Sequence, residues 1–265
     1  YIFNKTEAIT LEQSKLTLSK DITVLSFSDS SMVDRNSSII KVDSGWIVYS
    51  KNSESSILSF TSDGQFSGYI GHRGNGPGEY TSVYDVVVNQ KSKVLEVLSD
   101  GGIFCYTFGG DFLDKKEVTY PAFSFAIDDR QNYWFYVGNN TTYGDAKMIC
   151  TDENIANVAY YLHQKSNMLP MVENNFGRNG EWLTFHESLN HDLYTIENGK
   201  LDLSYAMDFP NYKLPKKLHE LSGMEVIEEL QRSNYASIIN YLENHDYIFS
   251  VSYTHLRAHE TDSYL

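Results

Sequence analysis

Three groups of side chains in this sequence could do chemistry, and each has a structural alternative. The segment HESLNH carries His186, Glu187 and His191, which could bind a metal ion. A metal site needs three or four converging ligands, and no further ligand is spaced to join these, so we interpret both histidines as surface residues. Asp128 and Asp129 in IDDRQN lack the alternating acids and the glycine of a calcium loop, so a polar turn explains them.

The aromatic run YWFY at 133–136 could stack against a sugar ring, but we favour a strand core with one outward aromatic face. Nucleophile motifs such as G-x-S-x-G are absent from the sequence. Cys105 and Cys150 carry no motif of a nucleophile, and we expect both to be buried as small apolar residues. The sequence therefore predicts no catalytic residue, no metal ligand and no cofactor.

The glycine-rich stretch GHRGNGPGEY, residues 71–80, could cradle a phosphate or turn the chain. A phosphate loop needs a helix after it and commonly a lysine. Pro77 stands where that lysine would be, and the following TSVYDVVVN is rich in β-branched residues, which predicts a strand. We therefore interpret the stretch as a connection between strands. Its structural residues are Gly71, Gly74, Gly76, Pro77 and Gly78.

Polar side chains of the same loop are the candidate binding residues, because exposed loops on a rigid frame commonly carry binding sites. They are Arg73, Asn75, Glu79 and Tyr80. Their alternative role is internal, as hydrogen-bonding partners of neighbouring blades, with Glu79 paired to Arg73.

Composition excludes two classes of partner. The formal net charge is −14, from 21 basic and 35 acidic residues, so the protein repels nucleic-acid phosphates. No apolar run approaches the roughly 20 residues of a membrane span. The aromatic content of 14% with 20 tyrosines favours a large β-rich protein.

A repeat organises the chain. A turn followed by an apolar residue occurs in SDGQF, GGDF, DENI and NGKL, at Phe66, Phe112, Ile155 and Leu201. The interval of about 45 residues is typical of β-propeller blades, and short strands separated by turn residues fill each interval. We predict an all-β propeller with four blades and the start of a fifth.

The period changes at about 215–244. Apolar residues recur there at steps of three and four, first around Ile227 and then from Tyr235 to Leu242, which predicts two amphipathic helical segments inserted into the propeller. We favour packing of this insertion on its own domain over binding of a partner.

VSYTHLRAHET, residues 251–261, matches a transposon adapter of sequencing libraries read in one frame, so we interpret 251–265 as an artefact. The propeller domain is then 1–250. Because the chain also begins without methionine, we interpret it as a truncated metagenomic fragment.

The stretch IGHRGNGPGEY, followed by a strand, resembles a recurring feature of six-bladed β-propeller proteins of Bacteroidota with NHL-like blades. Residues Ile70, Gly71, Gly74, Gly76 and Pro77 to Tyr80 match that feature. The resemblance implies six blades, with ITVLSF near Ile22 completing the last one. It also implies an extracytoplasmic protein, periplasmic or at the outer membrane, with a lipid anchor in a preceding N-terminal segment.

Two functions stay open. The first is a non-catalytic binding or scaffold propeller for a glycan, peptide or protein ligand at the cell envelope. The second is a metal-dependent enzyme of lactonase or lyase type, which requires acids on several innermost strands to converge on the axis. Asp85 and Asp128 are the obvious innermost acids, so we favour binding.

Overall fold

The computed structural model describes residues 22–26, 37–51, 55–139, 144–163, 174–180, 182–187, 189–221, 223–243 and 248–254. This described part of the chain is mostly β and contains four four-stranded antiparallel sheets, each with its strands in chain order. This is the strand order of a β-propeller blade, so four blades are confirmed. The blades lie in two compact units, a first unit within Glu7–Thr119 and a second within Tyr120–Leu265.

The first unit holds two blades. The first blade consists of β1 to β4, at Ser38–Val42, Gly45–Tyr49, Ile57–Thr61 and Phe66–Ile70. Two short strands follow, β5 at His72–Arg73 and β6 at Glu79–Tyr80. The second blade consists of β7 to β10, at Asp85–Asn89, Val94–Ser99, Gly102–Tyr106 and Phe112–Lys116. One hydrophobic core joins both blades, including Ile47, Ile57, Ile70, Leu95 and Tyr106.

The second unit also holds two blades. The third blade consists of β11 to β14, at Ser124–Ile127, Tyr133–Tyr136, Met148–Thr151 and Ala159–Tyr161. The fourth consists of β15 to β18, at Phe176–Asn179, Trp182–His186, Asp192–Glu197 and Lys200–Ala206. All four residues of β12 are buried, and the Tyr133 and Phe135 rings stack on Phe125. The predicted strand core is confirmed there, whereas the outward aromatic face and its sugar-stacking alternative are wrong.

The repeated turn has the same place in every blade. The turns that precede Phe66, Phe112 and Leu201, together with the turn at Ile155, each connect a third strand to a fourth. The prediction that the repeat marks successive blades is confirmed. The fourth strand is the outer and more exposed one, as the burial of β10 shows.

The segment predicted as a helical insertion, about 215–244, is helical only in its first half, and its insertion into a propeller stays a prediction. A 3₁₀ helix spans Lys216–Glu220 and helix α1 spans Met224–Arg232, but the second predicted segment is strand β19, Ala236–Glu243. A β-bulge between Ile238 and Asn240 lets Ile238 and Tyr241 both enter the core. Three-residue spacing across a bulge therefore imitated helical periodicity.

Strand β19 pairs with β20, Ile248–Thr254, in a two-stranded sheet after the fourth blade. Residues 251–254 thus form the end of a strand, and residues 255–265 lie outside the described part of the chain. The interpretation of 251–265 as an adapter artefact stays a prediction. Near the other end, Ser26 forms a parallel bridge with Gln65 of the first blade. Closure of a last blade by this segment also stays a prediction.

Candidate functional site

The glycine-rich loop connects the fourth strand of the first blade to the first strand of the second, as predicted. We call residues 71–84 the crossing loop. Its strands β5 and β6 pair in parallel, with His72 opposite Glu79 and Arg73 opposite Tyr80. Gly74 N–H donates to the Tyr80 carbonyl at 3.0 Å, which closes the loop on itself. Strand β7 follows the loop, as predicted, so the loop does not lead into the helix N-terminus of a phosphate-binding loop.

The Glu79 carboxylate is turned into this loop. Its Oε2 accepts a hydrogen bond from Gly76 N–H at 2.8 Å, and the Glu79 N–H donates to the Gly76 carbonyl at 3.1 Å. A Cβ atom on Gly74 would lie 2.0 Å from the same Oε2. A larger residue at position 74 would therefore displace the carboxylate from its bond to Gly76. The role that this structure gives Glu79 is a hydrogen bond within the loop.

Tyr80 is a frame residue, because its side chain is only 1% exposed. The phenol oxygen accepts from Ile57 N–H and donates to the Ile70 carbonyl, both at 3.2 Å. Ile57 and Ile70 face each other at the end of the paired strands β3 and β4. The Tyr80 hydroxyl therefore provides a hydrogen-bond partner for one backbone N–H and one backbone carbonyl there. Burial raises the pKa of Tyr80.

Two further aromatic residues hold the loop from the second blade. Tyr106 Oη donates to the Gly78 carbonyl at 2.9 Å, and the Tyr106 ring makes edge contacts with Tyr80 at 6.2 Å and with Phe112 at 5.8 Å between centroids. Gly78 has φ +75°, and a Cβ there would lie 2.6 Å from Cγ of Phe112. Neither Tyr106 nor Phe112 was predicted to hold the loop, although the apolar residue after each repeated turn marked position 112.

The exposed side of the crossing loop is polar. Arg73 and Asn75 are exposed, and Arg73 Nε donates to the Thr81 carbonyl at 3.0 Å, which orients the guanidinium. Thr81 Oγ1 and Tyr84 Oη both donate to the carboxylate of Asp100. This carboxylate raises the pKa of Tyr84 to about 12, and the two hydroxyl donors lower the pKa of Asp100.

The four predicted binding residues thus separate into two groups. Arg73 and Asn75 reach the surface, Glu79 is half-buried and Tyr80 is buried. Tyr80 is not available at the surface, because its hydroxyl is used within the first blade. Binding by Arg73 and Asn75 stays a prediction, and their placement on one exposed loop is compatible with it.

The innermost acid of the second blade is neutralised within the first unit. Asp85 is buried, and its Oδ1 lies 2.8 Å from Lys51 Nζ. Tyr49 Oη donates to the same Oδ1 at 3.4 Å. Burial, followed by the charge of Asp85, raises the pKa of Tyr49 well above its ordinary value. Asp85 and Lys51 therefore form an ion pair inside the first unit.

Asp128, the innermost acid of the third blade, serves its own hairpin turn. Its carboxylate accepts from the backbone N–H groups of Arg130 and Asn132 at 2.9 and 2.8 Å. It also accepts from the side chains of Asn132 and Trp134, at 2.8 and 3.0 Å. The predicted polar turn is confirmed, and this set of donors explains why an acid is tolerated at 3% exposure.

The interpretation of the HESLNH histidines as surface residues was wrong for His186, which is 1% exposed at the end of β16. His191 is half-buried, and its Nε2 lies 2.9 Å from the Ala236 carbonyl. Glu187, between them in sequence, instead forms a buried ion pair with Lys147. Across the described ranges, no three His, Cys, Asp or Glu side chains group as metal ligands.

Comparisons with known proteins agree with this fold. The chain is similar to a predicted exported protein of Bacteroides fragilis, at 15% identity and a TM-score of 0.73, over 88% of this chain and 69% of that one. It is also similar to a DUF4221 family member of Bacteroides vulgatus, at 11% identity and a TM-score of 0.54, over 86% of this chain and 73% of that one. Both likenesses concern the fold alone.

No helix in the described part of the chain is long and apolar enough to cross a membrane. Among curated proteins, none matches the sequence. One family matches, over residues 4–264, a range that includes the stretch interpreted above as an adapter. Because this match spans nearly the whole sequence, the chain belongs to the DUF4934 family, a domain of unknown function.

Proposed function

We propose that this protein is a non-catalytic binding or scaffold propeller, whose ligand contacts the exposed side of the crossing loop. The observation that supports this proposal is that the side chains of one loop differ in burial and bonding. Glu79 and Tyr80 form hydrogen bonds that fix the loop backbone, whereas Arg73 and Asn75 are exposed. A frame fixed in advance lowers the entropic cost of binding, because few groups are ordered when the ligand arrives.

The state of the internal acids supports binding over catalysis. Asp85 is paired with Lys51, and Asp128 accepts four hydrogen bonds from its own turn. A metal-dependent enzyme on the propeller axis would need such acids to converge on an ion. No specific observation favours that alternative.

We also propose that the complete domain has six blades and acts outside the cytoplasm, attached by a lipid anchor at the cell envelope. The two-stranded sheet of β19 and β20, which follows the fourth blade, supports a fifth. The likeness to a predicted exported protein supports export. A glycan or a peptide is the ligand class that such a location makes available.

The test is a binding assay on the full chain. Isothermal titration calorimetry with four probes samples the ligand classes: a glucose trimer, a galacturonic acid trimer, a serine–alanine peptide and an aspartate-rich peptide. The variant carries Arg73→Ala and Asn75→Ala. The matched control carries Arg232→Ala and Asn154→Ala, which remove an exposed arginine and an exposed asparagine from the second unit.

We expect at least one probe to bind the wild type and the control equally, and to bind the crossing-loop variant at least tenfold more weakly, about 1.4 kcal/mol. Circular dichroism and the melting temperature establish that the variant is folded. Binding that is unchanged in the variant, or absent for all four probes, would overturn the proposal.

A further inference from the structure

We infer that the protonated ring of His163 holds the end of strand β14 against the loop between β12 and β13, and that loss of its proton releases this contact. The loop is 137–147, of which 137–139 and 144–147 are described. We call the His163 ring, the Asp145 carboxylate and the Tyr160 carbonyl the His163 clip. It belongs to the third blade and is independent of the ligand proposed for the crossing loop.

Both ring nitrogens of His163 face hydrogen-bond acceptors. Nδ1 lies 3.0 Å from Asp145 Oδ1, and Nε2 lies 3.1 Å from the Tyr160 carbonyl oxygen. An ionised carboxylate and a carbonyl accept hydrogen bonds but cannot donate them. A neutral imidazole has one N–H and satisfies one of these acceptors, whereas an imidazolium has two and satisfies both. The geometry therefore fits the charged ring.

The backbone before His163 brings the ring into this position. Leu162 has φ +57°, a left-handed conformation that is uncommon for a residue other than glycine. Its side chain packs on the hydrophobic core of the second unit, and its carbonyl accepts from Lys147 N–H at 3.2 Å. The chain thus turns at the end of β14, and the His163 ring bonds to the carbonyl of Tyr160, three residues earlier.

The clip is connected to the buried ion pair of the second unit. Asp145 lies two residues before Lys147, whose carbonyl accepts from the N–H groups of Val137 and Gly138 at 2.8 and 3.2 Å. The Lys147 ammonium lies 3.0 Å from Glu187 of the fourth blade. A contact that fixes Asp145 therefore also restrains the backbone from which Lys147 reaches that blade.

The charge around His163 favours the protonated ring. Among the described residues, Asp145 is the charged group that acts on it, and Tyr160 contributes its backbone carbonyl. The hydrogen bond to Asp145 is the main cause that raises the pKa of His163 above its ordinary value of 6.5, and desolvation opposes it. Because the folded state holds the proton more tightly, the clip is complete below about pH 6.5 and is lost as the pH rises through the folded pKa.

The proton can exchange directly with solvent, because the side chains of His163 and Asp145 are 54% and 72% exposed. The test follows the ring nitrogens of the full chain by long-range ¹H–¹⁵N NMR between about pH 5 and 9. His163→Gln assigns the signals, and the same protein unfolded in urea gives the reference titration. The test variant is Asp145→Asn. The matched control is Asp208→Asn, which removes another partly exposed carboxylate of this unit, 3.6 Å from Lys213.

We expect the folded wild type to keep both ring protons of His163 to a higher pH than the unfolded protein does. Asp145→Asn should lower the midpoint towards that of the unfolded protein, while Asp208→Asn should leave it unchanged. A midpoint that is the same in the folded and unfolded protein overturns the inference. So does a midpoint that Asp145→Asn does not move.

A second measurement tests whether the charged ring holds the loop. Hydrogen-exchange protection of the Lys147 amide, corrected for its intrinsic pH dependence, should fall about two- to fivefold as the pH rises through the midpoint, the range typical of an exposed ion pair. In Asp145→Asn it should be reduced already below that pH. The Met207 amide, which bonds to the His191 carbonyl, is the control and should not change. Unchanged Lys147 protection in Asp145→Asn would show a charged ring that holds nothing, and would also overturn the inference.

Discussion

Lys147 Nζ lies 3.1 and 3.0 Å from the two carboxylate oxygens of Glu187, and both side chains are about nine-tenths buried. Tyr136 Oη donates to the same carboxylate at 2.7 Å. The first unit contains an equivalent set of lysine, tyrosine and acid in Lys51, Tyr49 and Asp85. In each unit, a buried cation and a phenol from one blade meet an acid of the next blade.

Lys147→Met should therefore destabilise the second unit strongly. Removal of the ammonium leaves Glu187 as an uncompensated buried charge, which costs about 3–5 kcal/mol. Urea denaturation followed by fluorescence measures the loss. Adding Glu187→Gln to this variant should restore most of it, because the amide is neutral and still accepts from Tyr136. Lys93→Met is the control, since its pair with Asp43 is exposed and contributes about 0–1 kcal/mol. Equal losses for Lys147→Met and Lys93→Met would contradict the expected role of the pair.

Tyr80→Phe should weaken the first unit without changing its surface. The variant leaves the Ile57 N–H and the Ile70 carbonyl without the hydroxyl that bonds both, and each unsatisfied buried group costs about 1–3 kcal/mol. Hydrogen exchange at the Ile57 amide should rise together with the loss of stability. Tyr160→Phe, at an exposed position, serves as the control. An unchanged exchange rate at Ile57 would show that water replaces the phenol at no cost.

Gly78→Ala should lower the free energy of unfolding by more than the strain of its positive φ alone would. Gly144 has φ +65° with nothing within 4 Å of an added Cβ, so Gly144→Ala measures the backbone cost, about 1 kcal/mol. Gly78→Ala adds a clash with the Phe112 ring at 2.6 Å, for about 1–3 kcal/mol more. The difference between the two melting temperatures reports the packing of Phe112 on the crossing loop. If the two variants melt alike, Phe112 does not pack there as described.

Cys105 and Cys150 should resist alkylation in the folded protein. Both are buried, and desolvation raises the pKa of each thiol from 9.0 to about 12. At pH 8, iodoacetamide should label both in urea and neither in buffer, as measured by intact mass, because the thiolate is the reacting form. Labelling in buffer at the rate seen in urea would contradict this burial.

The raised thiol pKa values also set the sign of a pH effect. Because the folded state holds the proton more tightly, this contribution to stability is complete below about pH 9 and is lost as the pH rises towards 12. Denaturation midpoints of the wild type and of a Cys105→Ala, Cys150→Ala variant, compared between pH 8 and 11, test it. The wild type should lose more stability than the variant over this range, and parallel losses would contradict the assignment.

Much of the fold follows from local patterns in the sequence. Strands such as β7 and β8 are β-branched runs bounded by turn residues, and the repeated turn before Phe66, Phe112 and Leu201 lies at one place in each blade. These features depend on residues only a few positions apart, so they can be predicted from a single sequence. The connecting role of the glycine-rich loop was predictable for the same reason, since a strand pattern follows Pro77.

The tertiary structure decided the features that depend on partners distant in sequence. The spacing of Ile238 and Tyr241 fits a helix or a bulged strand, and packing beside Leu193 and Met207 selects the strand. Likewise, the burial of Tyr80 depends on Ile57 and Ile70, and Glu187 meets a lysine 40 residues away. The sequence by itself determined the blades and the exposed polar loop between the first two. Which of the loop's side chains support the frame and which remain at the surface was decided only when neighbouring blades packed, because burial and hydrogen bonding arise from contacts that sequence spacing does not encode.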